Sequence, residues 1–347
     1  MASLVFISDT HISAPAKSPV TVDGKNRRLL ELTACLYKAL ETAVASKAEI
    51  VHGGDFFHDR KGVRPEALEA AGRWLEACRD AGVRVNLLVG NHDMSDGGDG
   101  SASVYALSGL ARIVKTPQVL ECSGIPVAFM PYCHSPERID AAISKMSGQF
   151  LVGHLGLGDP RFSSVVPSDY ETPGVLSLKH LHPERFSQIM LGHYHNKQTV
   201  VPGVDYMGCP LQLDKSDANK PRGIWLYKGG KLSFIENTWS PKYRVVSAAE
   251  AIEIVGAGSS DYIVATAADQ EEAAELRVLA DKTGAFVKVE RKAASAQASR
   301  MPSDTPADRV VKVYVDIAAP DKDPSEREAL VQVGQALLSK TLTDYEV

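Results

Sequence analysis

The stretch Leu4-Val-Phe-Ile-Ser-Asp-Thr-His11 sets an Asp-x-His pair directly after an apolar run that is typical of a buried strand. Further strand-like runs are followed in the same way by glycine and a polar side chain, in the blocks Gly53-Gly-Asp55, Gly90-Asn-His-Asp93, Gly153-His154 and Gly192-His-Tyr-His195. Ligands bind beyond the carboxyl ends of strands in α/β sheets. The sequence therefore predicts an α/β fold in which five strand ends meet at one site.

The side chains in these blocks offer carboxylate, imidazole and carboxamide donors but no thiolate. Such donors suit divalent Mn, Fe, Zn or Mg, and they exclude a cysteine-rich structural zinc site. Asp55 is the candidate bridging ligand, because a carboxylate has two oxygens and can bind two cations. Two metal ions about 3.5 to 4 Å apart can hold both the attacking and the leaving oxygen of a phosphoryl displacement. The blocks therefore favour a two-metal hydrolase.

The five blocks resemble the calcineurin-like metallophosphoesterases, which carry D-x-H, G-D, G-N-H-[DE], G-H and G-H-x-H in this order. That resemblance implies a two-sheet mixed β-sandwich flanked by helices, with two metal ions that share Asp55. Besides Asp55, the first ion would take Asp9, His11 and His195, and the second Asn91, His154 and His193. Each short motif alone is more often structural than a ligand, but their occurrence together and in order predicts the complete site.

Two histidines are implied to act beside the metal ions. His92 would lie outside the metal shell and protonate or stabilise the leaving oxygen, while Asp93 would orient its imidazole. The block Gly54-Asp55-Phe-Phe-His58 is similar to the G-D-L-F-H block of the SbcD-type nucleases, the nuclease subunits of double-strand-break repair complexes. In that group the extra histidine, here His58, handles the phosphate during exonuclease turnover. A surface histidine without a catalytic role is the alternative for His58.

The SbcD-type resemblance implies a manganese-dependent exonuclease that acts from DNA ends, with endonuclease activity on single strands. Its expected partners are DNA and an SbcC-type coiled-coil ABC ATPase, since the chain has no Walker motif of its own. A phage-type recombination endonuclease subunit would fit the same blocks, and a homodimer is compatible with them. Two alternatives stay open: a small-molecule or cyclic-nucleotide phosphodiesterase with the same metals, and a noncatalytic scaffold of this fold.

The length of 347 residues favours two domains, and Trp239-Ser-Pro241 is the predicted boundary. Residues 1–240 would form the nuclease domain, and residues 241–347 a small α+β domain that caps the site and binds DNA. In the second domain we expect alternating elements: strand Tyr262–Ala265, helix Glu271–Lys282, strand Phe286–Glu290, strand Val310–Ile317 and helix Ser325–Lys340. Residues 325–340 are the candidate helix for docking the ATPase, with an ordinary core helix as the alternative.

The net charge of −5 gives no general basic footprint for nucleic acid. Basic residues nevertheless flank the motifs, in the clusters Lys25, Arg27 and Arg28, then Arg60, Lys61 and Arg64, then Lys215, Lys220 and Arg222. The five cysteines are odd in number and scattered, which favours reduced thiols. The first residues have no signal-peptide pattern, and no apolar run is long enough to span a membrane. We therefore expect a cytoplasmic protein without a membrane association.

Overall fold

The computed structural model describes residues 2–16, 18, 21, 23–60, 62–95, 101–158, 176–291, 310–319 and 322–343. The chain forms two compact units, Met1–Glu290 and Arg291–Val347. The first unit therefore continues past Pro241, where the sequence predicted a boundary, and includes a small α/β module up to Glu290. Within the described residues, no helix is both long enough and apolar enough to cross a membrane.

Two six-stranded mixed sheets form the body of the first unit. The strands of the first sheet are β1 (Ser3–Ile7), β2 (Glu49–His52), β3 (Val85–Leu88), β4 (Arg112–Val114), β11 (Gly223–Lys228) and β12 (Lys231–Glu236). Their order is β12-β11-β1-β2-β3-β4, in which β1 to β4 are parallel and β11 and β12 are antiparallel to their neighbours.

The second sheet follows a similar plan. Its strands are β5 (Gln118–Cys122), β6 (Ile125–Met130), β7 (Gly148–His154), β8 (Phe186–Gly192), β9 (Gln198–Val201) and β10 (Val204–Tyr206). Their order is β5-β6-β7-β8-β10-β9, with β6, β7, β8 and β10 parallel and the two edge strands antiparallel. Within each sheet, the parallel strands therefore place their carboxyl ends at one edge.

The alternation of β1 explains how the layers pack. Side chains of successive strand residues point to opposite faces. Leu4 and Phe6 enter the core between the two sheets, where the rings of Phe6 and Phe150 lie 5.0 Å apart. Val5 and Ile7 face the helices α1 (Arg27–Ser46) and α2 (Pro65–Asp80). The predicted sandwich flanked by helices is thus confirmed.

The remaining elements lie after or between the sheets. Helix α3 (Pro136–Ile143) follows β6, and short 3-10 helices occur at Ser103–Leu107, Leu178–Leu181, Pro183–Arg185 and Lys215–Asp217. A separate three-stranded sheet has the order β13 (Tyr243–Ser247), β14 (Tyr262–Ala267) and β15 (Val287–Arg291). It packs with α4 (Ala248–Gly256) and α5 (Gln270–Thr283) around a small apolar core of its own. This is the first part of the predicted α+β module.

The second unit contains helices α6 (Val310–Ala318) and α7 (Pro324–Thr343). The predicted strand Val310–Ile317 is therefore wrong. Its alternating valines are typical of a strand, but the partner helix decides the outcome: Val315 and Val331 are buried, and Gly334 lets α7 approach the side chain of Val311. Strand propensity reflects the fit to a packed surface rather than an intrinsic backbone preference, so a helical partner can override it.

Candidate metal centre

The loops after five strand ends converge at one edge of the two sheets. Those after β1, β2 and β3 come from the first sheet, and those after β7 and β8 come from the second. Backbone hydrogen bonds join the first two loops, from Asp9 N to Gly54 O at 3.0 Å and from His11 N to Asp55 O at 3.1 Å. The residues with positive φ here include Asp9, His11, Asp55 and His193. Left-handed backbone at non-glycine residues is uncommon, and it clusters at functional sites.

Two glycines allow the loops to approach this closely. A Cβ at Gly90 would lie 2.2 Å from the backbone nitrogen of Asp55. A Cβ at Gly192 would lie 2.5 Å from the carbonyl oxygen of Gly53, which belongs to a loop of the other sheet. Both distances are shorter than atoms tolerate, so only glycine fits. The glycines of the motifs therefore determine how near the side chains of the two sheets come.

The first predicted ligand set is assembled by the structure. The candidate ligand atoms of Asp9, His11 and His195 lie within 4.8 Å of one another. His11 Nε2 is 3.0 Å from His195 Nε2 and 3.7 Å from Asp55 Oδ2. Asp9 is held in place because Ser8 Oγ donates to its Oδ2 at 2.6 Å. The backbone N–H of His193 also donates to Asp9 Oδ1, at 3.0 Å.

The second predicted set lies on the other side of Asp55. His154 Nε2 is 3.3 Å from Asp55 Oδ1 and 3.0 Å from Asn91 Oδ1. His193 Nδ1 is 2.9 Å from the same oxygen of Asn91. Asp55 thus presents one carboxylate oxygen to each set, which is the geometry that a bridging ligand requires. All seven side chains predicted as ligands are brought together.

The hydrogen-bond chemistry of the cluster fits divalent cations. His154 Nδ1 lies 2.8 Å from the carbonyl oxygen of Gly53, which can only accept, so Nδ1 carries the hydrogen. In a neutral imidazole, Nε2 would then present a lone pair towards the oxygens of Asp55 and Asn91, and a bound cation would take the place of the second ring proton. His11 and His195 likewise turn two ring nitrogens towards each other. A cation among these nitrogens and oxygens could accept their lone pairs, and a hydrogen bond from the other ring nitrogen to a carbonyl is a usual way to fix a metal-binding histidine.

The pKa shifts of the cluster describe the same charge distribution. Burial raises the pKa of the Asp55 carboxyl, but the imidazoles of His154 and His11 outweigh burial and hold it well below its usual range. Burial lowers the pKa of His154, but the carboxylates of Asp55 and Asp9 outweigh it and raise the value to about 9. Burial, together with His154, lowers the pKa of His193 to about 4. Asp55 is therefore the anionic centre, and His193 is a neutral imidazole near pH 7. Without a bound cation, His154 carries both ring protons at that pH.

His58 and His92 lie at the edge of the first set. Their rings stack 5.4 Å apart, and His58 Nδ1 is 3.3 Å from His11 Nδ1. His92 Nδ1 donates to the carbonyl oxygen of His58 at 2.7 Å, since a carbonyl oxygen has no hydrogen to give. That bond fixes the ring of His92 and leaves its Nε2 as the nitrogen that can exchange a proton.

The predicted role of Asp93 as the group that orients His92 is corrected by these contacts. The Asp93 carboxylate is buried and accepts backbone N–H bonds from Gly90 at 2.9 Å, Phe57 at 3.0 Å and Phe56 at 3.3 Å. The His58 carbonyl takes the place beside His92 instead. A carboxylate that accepts several backbone N–H groups binds two loops together. Asp93 therefore joins the loop that carries Asp55 to the loop after β3.

Two further residues near the cluster lie outside the predicted ligand sets. His52 is fully buried: it accepts from Gly54 N at 3.2 Å, and its Nε2 lies 3.0 Å from Thr10 Oγ1. Burial lowers its pKa to about 3, so it is neutral and supports the two loops. Tyr132 stacks on His193 with ring centroids 6.0 Å apart. Its only sequence signal is its position after a strand, and that position alone does not predict that the side chain lies against the metal centre.

Several known proteins are similar to this chain. Residues 2–197 match the family model described as calcineurin-like phosphoesterase. Exonuclease subunit 1 of Enterobacteria phage T4 is 26% identical over 196 residues, which cover 54% of this chain and 56% of that protein. The DNA double-strand break repair protein Mre11 of Haloferax volcanii is 29% identical over 183 residues, which cover 50% of this chain and 38% of that protein. The matched part is thus about half of the first relative and less of the second.

Solved structures also match at low identity. A dimetal phosphatase from Danio rerio has 11% identity and a TM-score of 0.41, covering 68% of this chain and 95% of that one. The nuclease MPE of Pseudomonas putida has 17% identity and a TM-score of 0.28, covering 67% and 87%. The family model, by contrast, spans more than half of the chain and all five motif blocks. On that match the chain belongs to the calcineurin-like phosphoesterase family, whose members are hydrolases that act on phosphoester bonds.

Proposed function

We propose that this chain is a two-metal DNA nuclease of the SbcD type, a subunit that processes double-strand breaks as an exonuclease from DNA ends and a single-strand endonuclease. One observation carries the proposal: His58 and His92 lie together at the edge of a cluster in which Asp55 faces two ligand sets. The names of the two relatives, an exonuclease subunit and a double-strand break repair protein, support a nucleic-acid substrate.

In this proposal two divalent ions would share Asp55. Asp9, His11 and His195 would complete the first site, and Asn91, His154 and His193 the second. Manganese is the proposed ion, and the same donors also suit iron, zinc or magnesium. When bound, such ions supply Lewis-acid stabilisation of the charge that develops on a phosphodiester.

The histidines outside the two sets handle protons and the substrate. His92 Nδ1 is committed to the carbonyl of His58, so Nε2 is the nitrogen from which a proton would pass to the departing oxygen. His58 turns Nδ1 towards His11 and is partly exposed, and burial followed by His92 lowers its pKa. A neutral His58 at the edge of the site is available to a phosphate oxygen through its second nitrogen. We propose that it positions the phosphate from which each nucleotide is released.

The proposed partners are DNA and an SbcC-type coiled-coil ABC ATPase, in the cytoplasm, with a homodimer as the proposed assembly. Residues 241–347 would supply the capping and DNA-binding part, and residues 325–340, within α7, would dock the ATPase. Both relatives are longer than the segment they share with this chain.

Digestion of end-labelled duplex and single-stranded DNA with Mn²⁺ tests the proposal. His92→Gln should lower DNA cleavage by about 10²- to 10⁴-fold, the usual contribution of a general acid. It should retain metal binding by isothermal titration calorimetry. His58→Gln should impair stepwise degradation more than cleavage of bis(p-nitrophenyl) phosphate. His182→Gln is the matched control, because this histidine pairs with Asp140 at 2.8 Å instead of joining the cluster.

Each alternative has its own outcome in the same assay. Hydrolysis of bis(p-nitrophenyl) phosphate with intact DNA would replace the nuclease with a small-molecule phosphodiesterase. A protein that binds no divalent metal and cleaves neither substrate would be a noncatalytic scaffold. Loss of metal binding in His92→Gln would place His92 among the ligands and contradict the proposed division of roles.

A further inference from the structure

A cavity of about 440 Å³ adjoins the metal centre beside strands β4 and β6. β4 is the parallel neighbour of β3, and β6 is the parallel neighbour of β7. The segments that come after β4 and β6, residues 115–117 and 131–135, therefore lie next to the ligand-bearing loops in the row of strand ends. Both segments line the cavity. The cavity thus continues the edge at which α/β sheets bind their ligands.

Tyr132 forms the wall between the cavity and the metal centre. Its backbone nitrogen donates to Val89 O at 3.1 Å, which ties the loop after β6 to the loop after β3. One side of the ring stacks on His193, and the edge contact with His154 has a centroid distance of 6.2 Å. On the cavity side His134 lies 4.8 Å away, with its Nδ1 3.2 Å from the Tyr132 hydroxyl. A group bound against His134 would therefore lie one ring away from the second ligand set.

The lining combines an apolar floor with a cationic rim. The floor includes the buried residues Val89, Ala102 and Met130. The rim includes the exposed residues Lys115, His134 and Arg138. No carboxylate occurs among the described lining residues, and no ion pair of the described part of the chain includes Lys115 or Arg138. In a chain with a net charge of −5, this is a local positive surface.

We infer that this cavity binds one unpaired nucleotide next to the scissile phosphate, with its base against Tyr132 and His134 and its backbone phosphate at Lys115 and Arg138. The inference rests on the proposed DNA cleavage and adds a position for the strand. Aromatic faces bind bases of any sequence by stacking, while lysine and arginine track the backbone. The volume is within the range of small-ligand pockets. A base must leave its partner to enter, so the cavity selects single-stranded ends.

Binding without cleavage tests the phosphate interactions. The probe is a short fluorescein-labelled single strand, followed by anisotropy over a salt series in EDTA. Lys115→Gln/Arg138→Gln should lower the slope of log affinity against log salt by about 0.7, because the two side chains together neutralise one phosphate of the single strand. The control is Lys228→Gln/Lys231→Gln, which removes the same charge. Lys228 pairs with Ser3 at the start of β1, at the opposite end of the sheet from the metal centre.

Stacking and turnover are measured separately. A strand with 2-aminopurine beside its cleavable end should lose fluorescence on binding, and His134→Ala should restore most of that fluorescence. For the Lys115→Gln/Arg138→Gln variant, the ratio of kcat/KM for the oligonucleotide to kcat/KM for bis(p-nitrophenyl) phosphate should fall about tenfold, because only the oligonucleotide extends into the cavity. Thermal melting establishes that the variants are folded.

The outcomes separate this inference from the proposed function. A salt slope and a substrate ratio equal to those of the Lys228→Gln/Lys231→Gln control would overturn the nucleotide site, while wild-type DNA cleavage would still uphold the nuclease. Wild-type protein that hydrolyses the aryl diester but neither binds nor cleaves DNA would overturn the nuclease. Equal quenching of 2-aminopurine in duplex and single-stranded probes would overturn the selection of unpaired ends.

Discussion

Replacing Asp93 tests whether this residue holds two loops together or acts in catalysis through His92. Its carboxylate accepts three backbone N–H groups, from Gly90, Phe57 and Phe56, and it is 1% exposed. Phe56 directly follows the bridging candidate Asp55, and Gly90 directly precedes Asn91. If Asp93 holds these two loops together, then its loss should lower both the stability of the protein and its affinity for metal. A residue that acts only through His92 would change turnover alone.

The magnitude depends on the acceptors that each variant retains. Asp93→Asn keeps one oxygen, which can still serve Gly90 and Phe56 if it occupies the Oδ2 position, but its amide then faces the N–H of Phe57. One buried donor without a partner costs about 1–3 kcal/mol. Asp93→Ala leaves all three donors without a partner, so it should cost about 3 kcal/mol or more. At about 2–4 °C per kcal/mol for a domain of this size, Tm should fall in the order wild type, Asn, Ala.

Thermal melting in EDTA and in Mn²⁺, with isothermal titration of Mn²⁺, measures both effects. Asp80→Asn is a matched control, since Asp80 is exposed and pairs with Arg79 at the end of α2. Changes to groups that hold metal ligands in place typically lower metal affinity by about 10- to 100-fold. An unchanged Tm and unchanged metal affinity in Asp93→Asn, together with abolished DNA cleavage, would refute the anchor and restore the dyad with His92.

Three further changes test individual contacts, two beside the metal centre and one in the three-stranded module. Gly90→Ala should weaken Mn²⁺ binding by about 10- to 100-fold, because the new Cβ must displace Asp55, and unchanged calorimetric affinity would contradict this. His52→Leu should lower the free energy of unfolding by about 2 kcal/mol, since the N–H of Gly54 loses its acceptor and Thr10 Oγ1 loses one of its two hydrogen bonds, and a urea titration measures this change. Burial raises the pKa of Asp261, but a backbone N–H and Arg244 outweigh it, so the folded value lies below 3.8. The ionised carboxylate of Asp261 therefore stabilises the folded state above pH 3.8, and this stabilisation disappears as the pH falls through the folded pKa. In thermal melts at acid pH, the wild type should lose this stabilisation and Asp261→Asn should not.

The sequence predicts the sheets and the gathering of donors well, because both depend on local patterns. An apolar run followed by glycine and a polar residue indicates both the end of a strand and the donor that its loop carries. Parallel neighbours then bring those ends to one edge. For this reason Asp9 and His195, which are 186 positions apart in the sequence, could be assigned to one cluster.

Contacts that depend on packing between distant segments were harder to predict. The carbonyl oxygen of His58 replaced Asp93 beside His92, and backbone carbonyls have no sequence signature. Tyr132 reaches His193 only because β6 borders β7 in the second sheet, an order that the motifs do not specify. The valines of α6 followed strand periodicity, and only their helical partner α7 reveals the helix. In each case the missing information is the identity of the neighbour.

The division of the proposed ligands between the sheets gives the metal ions a mechanical role. The first site takes Asp9, His11 and Asp55 from one layer and His195 from the other, and the second site is divided in the same way. Each ion would therefore link the two sheets, and its binding free energy would stabilise their packing against each other. At a free ion concentration of 100 times Kd, one such site adds about 2.7 kcal/mol to the stability of the folded state. Removal of the ions by a chelator would then weaken the packing between the two sheets as well as abolish phosphoester hydrolysis.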